Sequence, residues 1–316
     1  IAPLTPAGKG QSENAKIAMS HAFTSAINNI FRSSVRSWKK IIQTYILENT
    51  DFLLRMIPEI EFVTKSAELI ITLREKGLPL IYPEIMPMEQ KDFTVEGLCN
   101  PVVAIKLDAP IVPNDFTFDE NGMIYVLTGP NRGGKSVITC AVGLAFVMGQ
   151  LGLPICAQSA SMSPCDGIFT HFPTESEDTI DKGRLGEECA RLRAMIDKVT
   201  EYSIVLLDES LSSTGSFEGA YIAAEVLSGF SIIRLRGIFS THLHDLAASV
   251  QRLNKECIPR GGVKIDNLVA QINDGGQRTF CIIRKEPDGH SYAKDIAEKY
   301  GLSLEKIMEK MEKPIL

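Results

Sequence analysis

MIYVLTGPNRGGKSVITCAVGLAFVMG, residues 123–149, sets the terms on which the rest of the chain is read. An apolar run, MIYVL, enters a turn, TGPNRGG, and a second apolar run leaves it. The turn and the two residues after it fit the phosphate-binding pattern G-x-x-x-x-G-K-[ST], from Gly129 to Ser136. Gly129, Gly133 and Gly134 allow tight turning and close backbone approach, so that N–H groups can converge on phosphate oxygens. A helix starting near Lys135 adds its positive N-terminal end. The pattern predicts Lys135 on the β- and γ-phosphates and the Ser136 hydroxyl on Mg²⁺. A Gly-rich turn can match by chance, but here a strand precedes it and a helix follows, which the motif requires.

The same alternation runs through the second half of the chain. VVAIKL, MIYVLTG, SIVLLDE and IIRLRGIFSTH are short apolar strand-like runs separated by helical segments, and RTFCIIRKE near Phe280 reads as a late strand. Strands alternating with helices predict an α/β domain with a largely parallel sheet. Ahead of it, apolar residues recur every three or four from Ser12 to Thr50 (Met19, Phe23, Ile27, Ile30, Trp38, Ile41, Tyr45), which predicts one long helix. A second helix is predicted over Asp51–Lys76, kinked or split at Pro58 and stopped by Gly77. Such a pair is either a hairpin packed on a neighbouring domain or a lever arm, and periodicity favours the first. Residues 78–95 are Pro-rich and expected to be irregular, and Tyr292–Met311 reads as one or two short helices broken near Gly301.

Bulk composition narrows the classes. The 316 residues are 44% hydrophobic and 23% charged, the balance of an ordinary soluble globular protein. The seven cysteines form no C-x-x-C pair, which argues against zinc or a disulfide framework and fits a reducing, cytoplasmic setting. No window holds the ~18 unbroken apolar residues of a membrane span, so no membrane partner is expected. The first residue is Ile, and the polar start resembles no signal peptide, so an excised or processed chain is expected. A net charge of −6 is unlike a domain that grips duplex DNA by itself, so DNA contacts are expected mostly outside this chain.

Two further motifs bear chemistry. SIVLLDE, Ser203–Glu209, ends an apolar strand in two carboxylates, at the strand end where ligands of open α/β sheets bind. Asp208 is placed to reach Mg²⁺ and Glu209 to polarise an attacking water. STHLHDL, Ser240–Leu246, follows the strand RGIF. His242 there reads first as a switch histidine near a γ-phosphate and second as a surface side chain. A metal pair with His244, two residues on, is a distant third.

TGPNRGGKS, CAQSASMSPCDGIFTHFPTESED, TEYSIVLLDES and GIFSTHLHDL stand in the order and spacing that resemble the ATPase domain of the MutS family of DNA mismatch-repair proteins. NPVVAIKLDAPIVPNDFTF is similar to the segment leading into that family's nucleotide pocket, and EPDGHSYAKDIAEKYGLSLEKIMEKM to its closing helical dimerisation element. The resemblance covers roughly residues 50–315. It implies an ABC-type P-loop NTPase that binds ATP and Mg²⁺ and works as a homodimer with composite ATP sites. The segments it implies are a lever-like helical part (1–77), a linker (78–95), the ATPase domain (96–285) and the dimerisation element (286–316). It also implies roles for single residues. Gly129, Pro130, Asn131, Gly133, Gly134, Lys135, Ser136 and Val137 would hold the phosphates, and Ile111 and Asn114 the adenine region. Ser136 and Asp208 would hold Mg²⁺, Glu209 would be the catalytic base and His242 the switch. Gly183, Arg184 and Thr214 would reach across the dimer.

The chain departs from the family pattern at three places. Val137 stands where Thr is usual, GRLGEEC replaces the usual S-T-F signature so that Gly183 lacks a hydroxyl, and SLSSTGS replaces I-G-R-G-T-S after Glu209. These departures bear on activation across the dimer and on rate more than on nucleotide binding. They suggest a divergent branch, and they leave open recombination, branched-DNA or ribosome-associated work, or a nucleotide-gated interaction module with negligible turnover.

Overall fold

The computed structural model describes residues 9–107, 109–172, 184–212, 214–273, 277–286, 302 and 308. The chain divides into two units, Ile1–Glu68 and Leu69–Leu316.

The first unit is helical. One helix, α1 (Lys9–Glu75), runs where two are predicted, and Pro58 lies inside it. A lone proline removes one backbone hydrogen bond at a local cost of about 3 kcal/mol, and the helix continues through it. The stripe of Phe23, Ile30, Trp38, Ile41 and Tyr45 is exposed. Periodicity therefore located the helix but not a covered face. The last turns belong to the second unit, where Leu73 is fully buried and Leu69 packs beside it. Gly77 (φ 74°) ends the helix, its N–H bonded to Arg74 O and that of Leu78 to Leu73 O. Glycine takes this left-handed position without a Cβ penalty.

The second unit is α/β. Its strands are β1 (Glu84–Ile85), β2 (Phe93–Leu98), β3 (Asn114–Phe118), β4 (Ile124–Thr128), β5 (Ser159–Met162), β6 (Ile168–His171), β7 (Ile204–Asp208), β8 (Arg236–Ser240), β9 (Ile265–Ile272) and β10 (Arg278–Arg284). Its further helices are α2 (Pro101–Lys106), α3 (Lys135–Gln150), α4 (Arg184–Ile196), α5 (Ser216–Ile233) and α6 (His244–Cys257). Among the described residues six strands form one sheet in the order β10-β9-β4-β8-β7-β6, all pairs parallel except β10 with β9. A smaller sheet has the order β1-β5-β2-β3.

The inner strands β4, β7 and β8 are buried on both faces, which is why β4 and β7 read as almost unbroken apolar runs, while β6 and β10 are partly exposed. On β4, Tyr125 and Leu127 enter one core while Ile124 and Val126 enter the other. The first core is closed by α3 and the smaller sheet, with Phe93 stacked on Phe146 at 4.5 Å. The second is closed by α4, α5 and α6.

Two expectations are corrected. VVAIKL is not a strand: residues 101–106 form α2. The Asn100 side chain accepts from the N–H groups of Val102 and Val103, and Pro101 occupies the first turn, so capping overrides the β-branched preference. Residues 78–95 are not wholly irregular. They supply β1, a 3₁₀ turn at Met88–Gln90 and the first residues of β2, where Phe93 and Val95 are buried.

At the strand N-termini, fully buried Arg236 stacks over Phe146 and donates to the carbonyls of Ser163 and Pro164 at 3.1 Å. Burial lowers its pKa to about 10. It fastens the start of β8 to the loop before β6.

Candidate functional site

The C-terminal ends of β4, β7 and β8 meet on one side of the sheet. Asp208 lies opposite Ser240, and Leu127 is paired with Ser240 across the β4–β8 ladder. The loop leaving β4 turns through three left-handed positions, Gly129 (φ 140°), Arg132 (φ 59°) and Gly134 (φ 98°). Gly134 is the N-cap of α3, and no side chain caps it. The free N–H groups of a 16-residue helix therefore open onto this loop. Gly129 has to be glycine, because a Cβ there would lie 2.6 Å from the Ala270 Cβ on β9.

Lys135 is 4% exposed, and its Nζ donates to Gly129 O at 3.0 Å and Pro130 O at 3.2 Å. Burial lowers its pKa, while Glu209 and Asp208 oppose that fall. Asp208 is equally buried, and its Oδ1 has no hydrogen-bond partner among the described residues. A buried carboxylate oxygen without a donor is costly unless something cationic meets it. Ser136 and Val137 are exposed in the first turn of α3, as is Asn131 in the loop, with Pro130 half-buried. The Val137 carbonyl accepts from Asn100 Nδ2, which ties α2 to this turn.

Glu209 adopts φ 49° and donates its N–H to Ser240 O. Its Oε1 is 2.8 Å from His242 Nε2, both side chains being 38% exposed. His242 lies between β8 and α6 and His244 opens α6, so the two are not on one strand face. Among the described residues no group of three His, Cys, Asp or Glu is arranged to hold a metal.

The structure brings Lys135, Asp208, Glu209 and His242 together beside the loop. Other predicted residues lie further out. Asn114 opens β3, and its side chain is used by β10: Nδ2 donates to Phe280 O and Oδ1 accepts from Ile282 N. Ile111 packs against the first core. Thr214 bonds its hydroxyl to Glu218 at the start of α5. Arg184 begins α4, and Gly183 lies outside the described residues, as does the segment 286–316 apart from Glu286, Leu302 and Met308.

Three residues at the site were missed in the sequence. Phe280, at a bulge of β10 with φ 60°, is half-exposed beside Gly134. His171, ending β6, bonds Ser210. The only available signals were an aromatic in RTFCII and a histidine at the end of the run IFTH.

A buried cation, a helix N-terminus and a donor-less carboxylate oxygen suit a polyanion carrying a divalent cation. Residues 125–312, more than half of the chain, match the family described as MutS domain V. The chain belongs to the MutS family. Over 207 residues it is 30% identical to a protein named Endonuclease MutS2 from Thermus thermophilus, covering 64% of this chain and 26% of that protein. It is 28% identical over 219 residues to DNA mismatch repair protein MutS 1 of Haloarcula marismortui, covering 68% and 23%. It is 33% identical over 172 residues to DNA mismatch repair protein MutS of Prochlorococcus marinus, covering 52% and 19%. The chain thus spans about a quarter or less of the length of these MutS relatives. It is a divergent member, with the α/β fold of a MutS domain V. Among the described residues no helix is long and apolar enough to cross a membrane.

Proposed function

We propose that the chain carries the ATP-binding and ATP-hydrolysing module of a MutS-like protein, with residues 96–285 an ABC-type P-loop domain. Residues 1–77 then act as a lever-like segment and 286–316 as a dimerisation element. Residues 78–95 join lever to domain while lending β1 and the start of β2 to the smaller sheet. The observation that carries this reading is the buried Lys135 beside the donor-less Asp208 oxygen, at the mouth of a loop that opens onto the α3 N-terminus.

In this reading Gly129, Pro130, Asn131, Gly133, Gly134 and Val137 wrap the phosphates, with Ile111 and Asn114 on the adenine side. Lys135 moves from the loop carbonyls to phosphate oxygens. Ser136 and Asp208 hold Mg²⁺, whose charge offsets that of the phosphates. Glu209 orients water for in-line attack on the γ-phosphorus, and His242 holds the Glu209 carboxylate. A second copy completes the site through Gly183, Arg184 and Thr214, so ATP binding closes the dimer and moves the helices attached to it. DNA is held mostly by regions beyond this chain, in keeping with the net charge of −6, and a cytoplasmic setting fits the free thiols.

The Glu209→Gln substitution should abolish phosphate release and trap an ATP-bound dimer, read by phosphate assay and light scattering. Wild-type release no higher than that of Glu209→Gln at any protein concentration would sink the enzyme reading in favour of a nucleotide-gated module. A branch outside mismatch repair is the second reading: the relatives include an endonuclease MutS2 at 30% identity beside mismatch-repair proteins at 28% and 33%, so identity does not choose between the branches. Pull-downs with mismatched, branched and homoduplex DNA separate these branches.

A further inference from the structure

The loop after β7 is held in an unusual conformation. Glu209 (φ 49°) and Leu211 (φ 63°) are both left-handed, and neither is glycine. Such residues persist only where the surroundings over-determine them. Ser210, between them, is 2% exposed and points inward. Its Oγ lies 2.7 Å from Nδ1 of His171, the last residue of β6. Leu211, fully buried, donates its N–H to Glu188 Oε2 on α4 at 2.5 Å. The loop is thus clamped at Ser210 and at Leu211, and each clamp reaches it from a different element.

We infer that His171 is a positioning residue, whose Nδ1–Ser210 bond fixes the backbone on which Glu209 is presented to His242. The inference rests on the ATPase reading for its consequence and on the geometry alone for the clamp. His171 sits opposite Leu207 across the β6–β7 ladder, so the strand that carries Asp208 also sets the reach of the imidazole. Burial holds the imidazole pKa below its usual value, with Glu188 opposing and Arg191 adding to the fall, so the ring is a neutral hydrogen-bonding group. Its Nε2 is buried with no partner among the described residues. A buried nitrogen left without a partner is costly, so among the described residues the side-chain bond that offsets the burial of the ring is the one Nδ1 makes to Ser210. The chain runs from β6 through residues 173–183 to α4, which carries Glu188. Both clamps therefore flank the segment expected to contribute Gly183 and Arg184 across the dimer.

The test uses the whole chain with His171→Ala, His171→Asn, His171→Gln, Ser210→Ala and the His171→Ala/Ser210→Ala double substitution. Asn places an amide where Nδ1 stands, and Gln where Nε2 stands. Phosphate release should fall roughly 10- to 100-fold in both Ala singles, the scale set by misplacing a reacting group. The double substitution should fall no further than Ser210→Ala, because that single already removes both the Nδ1 bond and the hydroxyl's weaker 3.5 Å contact to the His171 carbonyl. His171→Asn should restore most of the rate and His171→Gln should not. Affinity for a non-hydrolysable ATP analogue should stay unchanged throughout. Amide exchange over residues 209–211, measured without nucleotide, should rise in His171→Ala and Ser210→Ala and return to the wild-type level in His171→Asn. Wild-type exchange in both Ala singles overturns the inference, as does a rate loss that Asn and Gln restore equally. Should Glu209→Gln and wild type release phosphate equally, the ATPase reading falls, and the exchange data still decide the clamp. If His171→Ala fails to fold, Ser210→Ala removes the same bond and carries both measurements.

Discussion

Gly129→Ala separates two physical demands at one backbone position. At φ 140° an L-residue with a Cβ is disfavoured, and conformations of this class cost about 1–3 kcal/mol. The new Cβ would also meet the Ala270 Cβ at 2.6 Å and its backbone N and O at 3.1 Å, on a strand with no flexible end to move. Overpacking of this kind costs typically about 1–3 kcal/mol. The sum, roughly 2–6 kcal/mol, is a large share of the roughly 5–15 kcal/mol that keeps a domain folded. Urea unfolding of the single variant should show that loss as a lower midpoint with an unchanged slope. Adding Ala270→Gly should return only the steric part due to the Ala270 Cβ, leaving the 3.1 Å backbone contacts and the φ strain, while itself costing about 0.5–1 kcal/mol for a glycine in a strand. Full recovery in the pair would show that φ carries no strain. A loss below about 0.5 kcal/mol in the single variant, the range of ordinary surface changes, would refute both parts.

Two further predictions concern the surroundings of the site. Asn114→Ala removes both side-chain bonds to the β10 bulge, so it should cost roughly 1–3 kcal/mol in urea unfolding and speed amide exchange at Ile282. Cys156 is buried, and its pKa rises from 9.0 to about 12, chiefly by desolvation and then by neighbouring Cys99. Its contribution to stability is therefore full below pH 9.0 and is lost as pH climbs towards about 12. Between these limits the wild type should lose about 1.4 kcal/mol per pH unit more than Cys156→Ala, measured by denaturation at stepped pH. Equal slopes in the two proteins would contradict the assigned burial effect.

The large sheet was legible because a parallel strand buried on both faces has to be apolar at nearly every position. MIYVLTG and SIVLLDE accordingly announced β4 and β7, IIRLRGIFSTH announced β8 although its Ile232 and Ile233 end α5, and the acids of β7 marked its ligand end. The smaller sheet was not legible. SASM alternates serine with Ala160 and Met162 but is only four residues long, too short a run to stand out, and β5 finds its place by pairing with β2, over sixty residues earlier. VVAIKL misled because two backbone N–H bonds to the Asn100 side-chain oxygen outweigh the preference of three β-branched residues. The proximity of Lys135, Asp208, Glu209 and His242 could be anticipated from strand-end positions, whereas the His171–Ser210 bond could not. It joins residues 39 apart, and nothing local to either one points to the other.

The place of β4 in the sheet has a consequence for synthesis. Its two neighbours, β8 and β9, are both made much later, and β9 ends only at Ile272. Until then the strand that launches the Gly129–Ser136 loop has at least one open edge. A ribosome pausing before residue 265 would therefore hold out a nascent chain in which an apolar strand keeps at least one edge unpaired, open to pairing with other chains. The loop can reach its working shape only near the end of the domain's translation.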